Sequence, residues 1–291
     1  MTANASAAGT YALGGGLIVN RLGYGAMRIT GKGIWGPPDD KTAALATLRR
    51  AVELGVNLID TADSYGPYVS EELIAEALYP YPPDLVIATK AGWERVGPGQ
   101  WIHNASPAHL TRALEGCLKR LRLDRIDVFQ LHVPDPAVSF DASVECLARH
   151  REEGKIRHVA LSNVALEYVE RARRIVPIAS VQNRYSFADR EWDFVVDYCE
   201  QHNIGFMPWA PLGQNRLADE ALKKAGHQLG ATPMQVGLAW LLRRAKNILP
   251  IPGTSKVPHV EENIAAASLQ LPDEIFNELS AISSPPAVLR G

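Results

Sequence analysis

Four side chains have the types and surroundings for acid–base chemistry at an oxygen atom: Asp60, Tyr65, Lys90 and His132. Asp60 ends the apolar run of Asn57-Leu-Ile-Asp60-Thr-Ala-Asp-Ser-Tyr65, Lys90 ends Leu85-Val-Ile-Ala-Thr-Lys90, and His132 ends Ile126-Asp-Val-Phe-Gln-Leu-His132. A phenol titrates near 10 and is a poor proton donor at neutral pH unless its phenolate is stabilised. A cation about 4 Å away contributes roughly 4 kcal/mol at an effective dielectric of about 20, which is about three pKa units. The expectation is that Lys90 draws the Tyr65 phenol down into the range of a general acid, while Asp60 keeps the lysine charged and pointing inward. His132 is then placed to hydrogen-bond a substrate oxygen and orient it. This set suits carbonyl reduction, in which negative charge grows on oxygen as a hydride reaches carbon. No side chain supplies a hydride, so a cofactor is implied.

These residues meet only if the runs that carry them are neighbouring strands opening on one face. Each run is apolar, of strand length, and stops at a polar residue where a loop begins. Strand-like runs recur near 21–25, 56–61, 85–90, 126–132, 158–163, 180–185, 204–210 and 248–252, separated by helical patterns. Ser106 is an N-cap ahead of Pro107, with Leu110, Leu114, Cys117, Leu118 and Leu121 at helical spacing. Asp40 caps a helix that Gly55 ends, and Pro233 opens another carrying Val236, Trp240 and Leu241. Eight alternations predict an α/β fold of the (β/α)8 TIM-barrel class. Ahead of them, Thr10-Tyr-Ala-Leu13 and Leu17-Ile-Val19 flank Gly14-Gly-Gly16 and predict a β-hairpin closing the barrel floor. No linker or charge run divides the chain, so residues 1–291 are expected to form a single domain, with 1–9 frayed.

Composition narrows the partners. The 291 residues are 46% hydrophobic with a formal charge of -2, which offers no basic field for nucleic acid and no polybasic patch for a membrane. A small-molecule carbonyl substrate and a monomer are the expectation. Cys117, Cys146 and Cys199 lack paired or metal-ligand spacing and fall in apolar helical stripes, as buried thiols of a reducing cytoplasm do. No stretch has the charged start and apolar core of a leader, or the ~18 apolar residues of a membrane span.

Asp60, Tyr65, Lys90 and His132 in these contexts resemble the catalytic tetrad of the aldo-keto reductase family, NAD(P)H-dependent (β/α)8 barrels that reduce aldehydes and ketones. The similarity runs from Asn20-Arg-Leu-Gly-Tyr-Gly-Ala-Met27 to Ile251-Pro-Gly-Thr-Ser-Lys256 and Glu261-Glu-Asn263. The resemblance implies cofactor contacts from Gly25, Ala26, Met27 and Asp60, and a nicotinamide carboxamide held by Ser162 and Asn163 with Gln182. It further implies stacking by Trp209, followed by Ala210, Pro211, Leu212, Gly213 and Arg216. Gly253, Thr254, Ser255 and Lys256 resemble the phosphate segment at a helix start, and Glu262 and Asn263 the adenine contacts. Many NADPH-preferring relatives place an arginine at the position of His259 and a lysine at that of Gly253. Lys256 must then carry more of the 2′-phosphate recognition, with NADPH expected and NADH the alternative.

Gly36-Pro-Pro, Glu76-Ala-Leu-Tyr-Pro-Tyr-Pro82, Gly230-Ala-Thr-Pro-Met-Gln-Val236 and Ile251-Pro-Gly-Thr-Ser-Lys256 are similar to a bacterial pyridoxal-reductase branch of the family. Trp35, Trp93 and Trp101, in loops after strands one and three, are the expected aromatic lining for a flat substrate ring. Competing readings have less behind them. Gly31-Lys-Gly-Ile-Trp-Gly36 fits a dinucleotide fingerprint, but Pro37-Pro38 follows where a helix must start. The eight histidines include neither His-x-His nor His-Glu-x-x-His, so no metal site is expected. The alternative function is a cofactor-binding regulatory or redox-sensing subunit with little turnover, against which the complete tetrad argues.

Overall fold

The computed structural model describes residues 3–211 and 216–282, of which 216–219 are described as backbone only. In chain order the strands are β1 (Thr10–Leu13), β2 (Leu17–Asn20), β3 (Tyr24–Gly25), β4 (Leu58–Asp60), β5 (Val86–Ala91), β6 (Trp93–Gly97), β7 (Gln100–His103), β8 (Ile126–Leu131), β9 (Ile156–Ser162), β10 (Ile178–Gln182) and β11 (Gly205–Phe206). Seven pair in parallel in the order β3-β4-β5-β8-β9-β10-β11. Helices cross from one strand to the next: α1 (Lys41–Glu53), α2 (Val69–Leu78), α3 (Pro107–Leu121), α4 (Phe140–Glu152), α5 (Leu166–Arg173), α6 (Asp193–Gln201) and, beyond β11, α7 (Arg216–Leu229) and α8 (Pro233–Arg244). Two more follow, α9 (Val257–Ala265) and α10 (Asp273–Ala281).

The expected eighth strand, 248–252, closes the barrel without forming a regular ladder. Phe206 bridges Ile248, with Phe206 N–H on Asn247 O and Leu249 N–H on Phe206 O, each 2.8 Å. On the other side Gly23 and Gly25 donate to the carbonyls of Pro250 (2.9 Å) and Pro252 (3.4 Å). Those prolines have no N–H to return, so only half of that ladder can exist.

Side chains partition by the two-residue period of the strands. Leu58, Val86, Ala88, Val128, Ala160, Met207, Leu249 and Ile251 point into the barrel, where Leu13, Leu17 and Val19 of the β1–β2 hairpin join them in one apolar cluster. Ile59, Ile87, Phe129, Leu131, Val159, Leu161, Val181 and Phe206 point out and pack under the helices. In β10, Ala179 and Gln182 both face inward although three residues apart, because a register shift between Ile178 and Val181 absorbs the extra residue. The hairpin thus fills the mouth beneath the strands, and their carboxyl ends stay free for polar residues.

The helix signals behave as their chemistry requires. Asp40 and Ser106 accept from the N–H groups of Ala43 and His109, and Thr232 forms a capping box with Gln235. Gly55, at φ 83°, ends α1 with Gly55 N–H on Val52 O and Val56 N–H on Ala51 O, the Schellman arrangement. The three cysteines are free and buried. Two expectations are corrected. From residue 3 onward the start is built in, since Ala5–Ala8 form a turn capped by Asn4 and the buried Ala5 donates to Leu54 O. Residues 93–103 are not an open loop but an antiparallel hairpin, β6–β7.

Leu13 tests the plug. Leu13→Ala is expected to cost about 2–5 kcal/mol of stability in chemical denaturation, and a loss below about 1 kcal/mol would mean that the hairpin does not share the barrel core.

Candidate active site

Asp60, Lys90, Gln130 and Gln182 form a polar layer directly above the apolar barrel interior. Asp60 and Lys90 are 3% and 0% exposed, so their charges must find partners inside the protein. Asp60 Oδ2 accepts from Lys90 Nζ at 2.7 Å, and Asp60 Oδ1 accepts from Gln130 Nε2 (2.8 Å) and Gln182 Nε2 (2.9 Å). Lys90 Nζ also donates to Thr61 O (2.7 Å) and to the Tyr65 hydroxyl (3.2 Å). The ammonium therefore has three acceptors for its three protons. Gln130 pairs in register with Lys90. It escaped the sequence reading, although its inward position two residues before His132 was a usable signal.

Tyr65 lies on the loop after β4, with Lys90 Nζ 4.9 Å from its ring centroid and the His132 ring edge-on at 5.9 Å. His132 is held by its own N–H on Ala91 O, and Ser64 Oγ stands 3.5 Å from its Nδ1. The four residues read from the sequence are thus brought together. Their electrostatics correct one expectation: the Tyr65 phenol lies above its ordinary range, not below. Burial strips water from the phenolate and is the largest effect; Lys90 pulls the other way, and Asp60 partly cancels that pull. Burial also opposes the charge on Lys90, but Asp60 and Tyr65 outweigh it and hold the ammonium above its usual range. Burial, aided by Lys90, pushes His132 well below the usual histidine range. The arrangement is a protonated phenol beside a permanent ammonium and a neutral imidazole.

Around this cluster the strand ends offer amide-binding groups. Asn163, at φ 55°, donates to His132 O (3.0 Å) and Ser162 Oγ (3.1 Å), while its Oδ1 accepts from Trp209 Nε1 (3.0 Å). Its N–H bonds Gln182 O at 2.9 Å. Ser162, Asn163, Gln182 and Trp209 therefore form one cluster, although the Gln182 amide nitrogen serves Asp60. Ala210 is exposed at φ 50° and Pro211 is buried. Leu212, Gly213 and the Arg216 side chain lie outside the described residues.

Across the seam, β3 and the segment before α9 make a close backbone approach. A Cβ on Gly25 would stand 2.6 Å from Ile251 O, and one on Gly253 2.7 Å from Gly25 O, so neither position accepts a side chain without movement. Ala26 is buried and Met27 half-buried beside this approach. Thr254 is fixed by Tyr24, whose hydroxyl donates to Thr254 O, and its Oγ1 accepts from Lys256 N–H at 3.1 Å. Ser255 is half-buried and Lys256 exposed at the start of α9; Glu262 and the buried Asn263 follow on that helix. Neither Lys256 nor Arg28, which lies alongside Gly253, has an ion-pair or side-chain hydrogen-bond partner among the described residues. Arg28 was not singled out by the sequence reading.

Trp35 pairs by a bridge with Gly66, next to Tyr65, while Trp93 and Trp101 belong to the β6–β7 hairpin. Trp93 stacks on His103 at 4.2 Å and meets the His132 ring edge-on at 6.4 Å. The signal for this hairpin was Pro98-Gly99 between two alternating runs.

The depressed His132 makes a checkable statement. Its folded form stays neutral while the unfolded form gains a proton below about pH 6.5, so this group favours unfolding as pH falls through that value. An imidazole NMR titration is expected to leave His132 neutral at about pH 6, and a midpoint at or above about 6.5 would contradict the burial argument.

The chain is similar to known proteins in sequence and in fold. A profile of the aldo/keto reductase family matches residues 21–284. An uncharacterized oxidoreductase of Schizosaccharomyces pombe is 46% identical over 278 residues, 95% of this chain and 90% of its own length. Pyridoxine 4-dehydrogenase of Escherichia coli is 46% identical over 272 residues, 91% of this chain and 95% of its own. Among solved structures, an aldo-keto reductase from Klebsiella pneumoniae in complex with NADPH superposes with a TM-score of 0.80 at 26% identity, covering 98% of this chain and 97% of that one. With a match to its profile over nearly all its length, the chain belongs to the aldo/keto reductase family.

Proposed function

We propose that this chain is an NADPH-dependent reductase of aldehydes and ketones in which Tyr65 delivers the proton, Lys90 and Asp60 govern that proton, and His132 orients the carbonyl. Family membership supports the reaction class. The observation that carries the residue roles is the position of Lys90 Nζ, 2.7 Å from Asp60 Oδ2 and 3.2 Å from the Tyr65 hydroxyl in a fully buried setting.

The chain's groups fit the nucleotide. The Gly25–Gly253 approach brings β3 against the segment before α9, and Lys256 and Arg28 are exposed cations beside it. Ser162, Asn163 and Gln182 would hold the carboxamide, Trp209 the ring face, and Glu262 and Asn263 the adenine. Bound there, a reduced nicotinamide supplies a hydride to the carbonyl carbon. The protein does the rest. His132 donates a hydrogen bond to the carbonyl oxygen and fixes its direction, and the Tyr65 hydroxyl passes its proton to that oxygen as negative charge develops. Lys90 acts on the phenolate left behind, in a site where water cannot screen it. Because the phenol starts protonated, the resting site is already loaded for reduction, whereas alcohol oxidation must first take that proton away.

Pyridoxal is the proposed substrate, supported by the 46% identity to pyridoxine 4-dehydrogenase and by the tryptophans close to Tyr65 and His132. We read residues 1–291 as one domain, since a single apolar cluster runs from Ala5 to Leu279. A monomer fits the exposed large apolar side chains, which among the described residues are spread over β2, the two ends of α2, the β6–β7 hairpin, α6 and α8. No helix among those residues is long and apolar enough to cross a membrane, and three free buried thiols suit the cytoplasm.

Tyr65→Phe is expected to leave NADPH affinity, read by tryptophan fluorescence, nearly unchanged and to lower kcat by about 10²–10⁴; turnover within about tenfold of the parent would remove Tyr65 from its role. Lys256→Ala is expected to weaken NADPH about tenfold and NADH far less, because only NADPH carries the 2′-phosphate. Equal losses would place Lys256 elsewhere on the nucleotide.

A further inference from the structure

The wall of the site that faces Tyr65 and His132 is organised by Arg95. Its guanidinium has five N–H groups, and each meets a backbone carbonyl. Nη1 donates to Ile34 O (2.8 Å) and Ser64 O (2.9 Å), Nη2 to Gly33 O (3.0 Å) and Gly97 O (3.4 Å), and Nε to Gln100 O (3.2 Å). These oxygens belong to the loop after β3, to the residue preceding Tyr65, and to the β6–β7 hairpin. No acidic side chain pairs with Arg95 among the described residues. Its charge is met by carbonyl dipoles and by two indole faces, with Trp101 at 3.8 Å and Trp35 at 5.7 Å from Cζ.

The hairpin carries side chains to that wall on one face. Arg95 pairs in register with Trp101 and Trp93 with His103, while Val96 and Ile102 are exposed. The loop 31–36 closes on itself through Gly31 N–H on Gly36 O (2.9 Å) and joins the catalytic loop through Gly36 N–H on Gly66 O and Gly66 N–H on Ile34 O. One guanidinium thus ties two pocket segments to the peptide that carries Tyr65.

We propose that Arg95 is a positioning residue that sets substrate selectivity, holding Trp93, Trp101 and Trp35 as a preformed aromatic wall that favours a flat aromatic aldehyde over an aliphatic one. The inference rests on the carbonyl-reductase reading and goes beyond it. A wall already ordered in the free enzyme spares a bound ring the cost of fixing those side chains, and an aliphatic aldehyde gains little from it. The fork is what counts, since an ammonium has only three donors and no planar face to lie on indole.

The test compares parent, Arg95→Lys and Arg95→Met with pyridine-4-carbaldehyde and with propanal as substrates, with NADPH affinity and thermal stability measured on the same preparations. The parent is expected to prefer the aromatic aldehyde. Both variants are expected to raise KM for it by about tenfold, with a smaller change in kcat, and to lose most of the preference while binding NADPH as the parent does. If either folded, NADPH-binding variant keeps the parent's ratio of kcat/KM between the two aldehydes, Arg95 is a structural staple only and the proposal is overturned. A parent that reduces neither aldehyde nor any other would instead defeat the reductase reading itself.

Discussion

A single buried ammonium organises this molecule. Lys90 sits inside the barrel with no access to water, and a charge so placed is tolerable only when all its protons are taken by well-aligned acceptors. Asp60, the Thr61 carbonyl and the Tyr65 hydroxyl take them. Each acceptor comes from β4 or the loop directly after it, so the demand of the lysine fixes how that loop leaves the sheet. Asp60 is in turn held by Gln130 and Gln182 from strands further round the barrel. A polar network of this kind stabilises only when it is complete, which ties the catalytic loop to the closure of the whole sheet.

The apolar core below makes that layer possible. Leu13, Leu17 and Val19 pack against the inward strand residues and close the floor beneath Lys90 and Asp60. The same two-residue alternation that sends Val86 and Ala88 into the barrel sends Lys90 there, at the next inward position along β5. Core and site are successive levels of one pattern, and substitutions in the hairpin reach the site through packing.

How much of this was legible follows from which forces are local. Asp60, Lys90 and His132 could be read because each breaks an apolar run at a strand end, and run length and period are properties of sequence. Helix ends were legible for the same reason, as with Asp40, Gly55, Ser106 and Pro233. The closing segment was located but its pairing was not, because the missing N–H groups of Pro250 and Pro252 matter only once β3 lies beside them. Gln130 looked like one polar residue in a strand; its meaning comes from Asp60, seventy positions away. The β6–β7 hairpin was hidden by its tryptophans, which read equally as loop aromatics, although Pro98-Gly99 marked the turn. The Tyr65 phenol was misjudged in direction because a cation's pull can be written from a distance, whereas loss of solvent depends on everything packed around the ring.

That last point bears on how the site divides its labour. If Lys90 simply lowered the phenol, part of the tyrosine would rest as phenolate and the donor would stand partly empty. Burial prevents this: the proton stays on Tyr65 and the positive charge stays on Lys90. The attraction between ammonium and phenolate is therefore absent in the resting state and appears only as the proton leaves. An interaction that is stronger in the transition state than in the ground state is the kind that accelerates a reaction. The neutral His132 fits the same scheme, since a second buried cation beside Lys90 would repel it. In the reaction proposed above, Trp93 beside His132 and Trp35 beside Gly66 would serve the chemistry as well as recognition, since water kept from the carbonyl oxygen leaves the phenol as its proton donor.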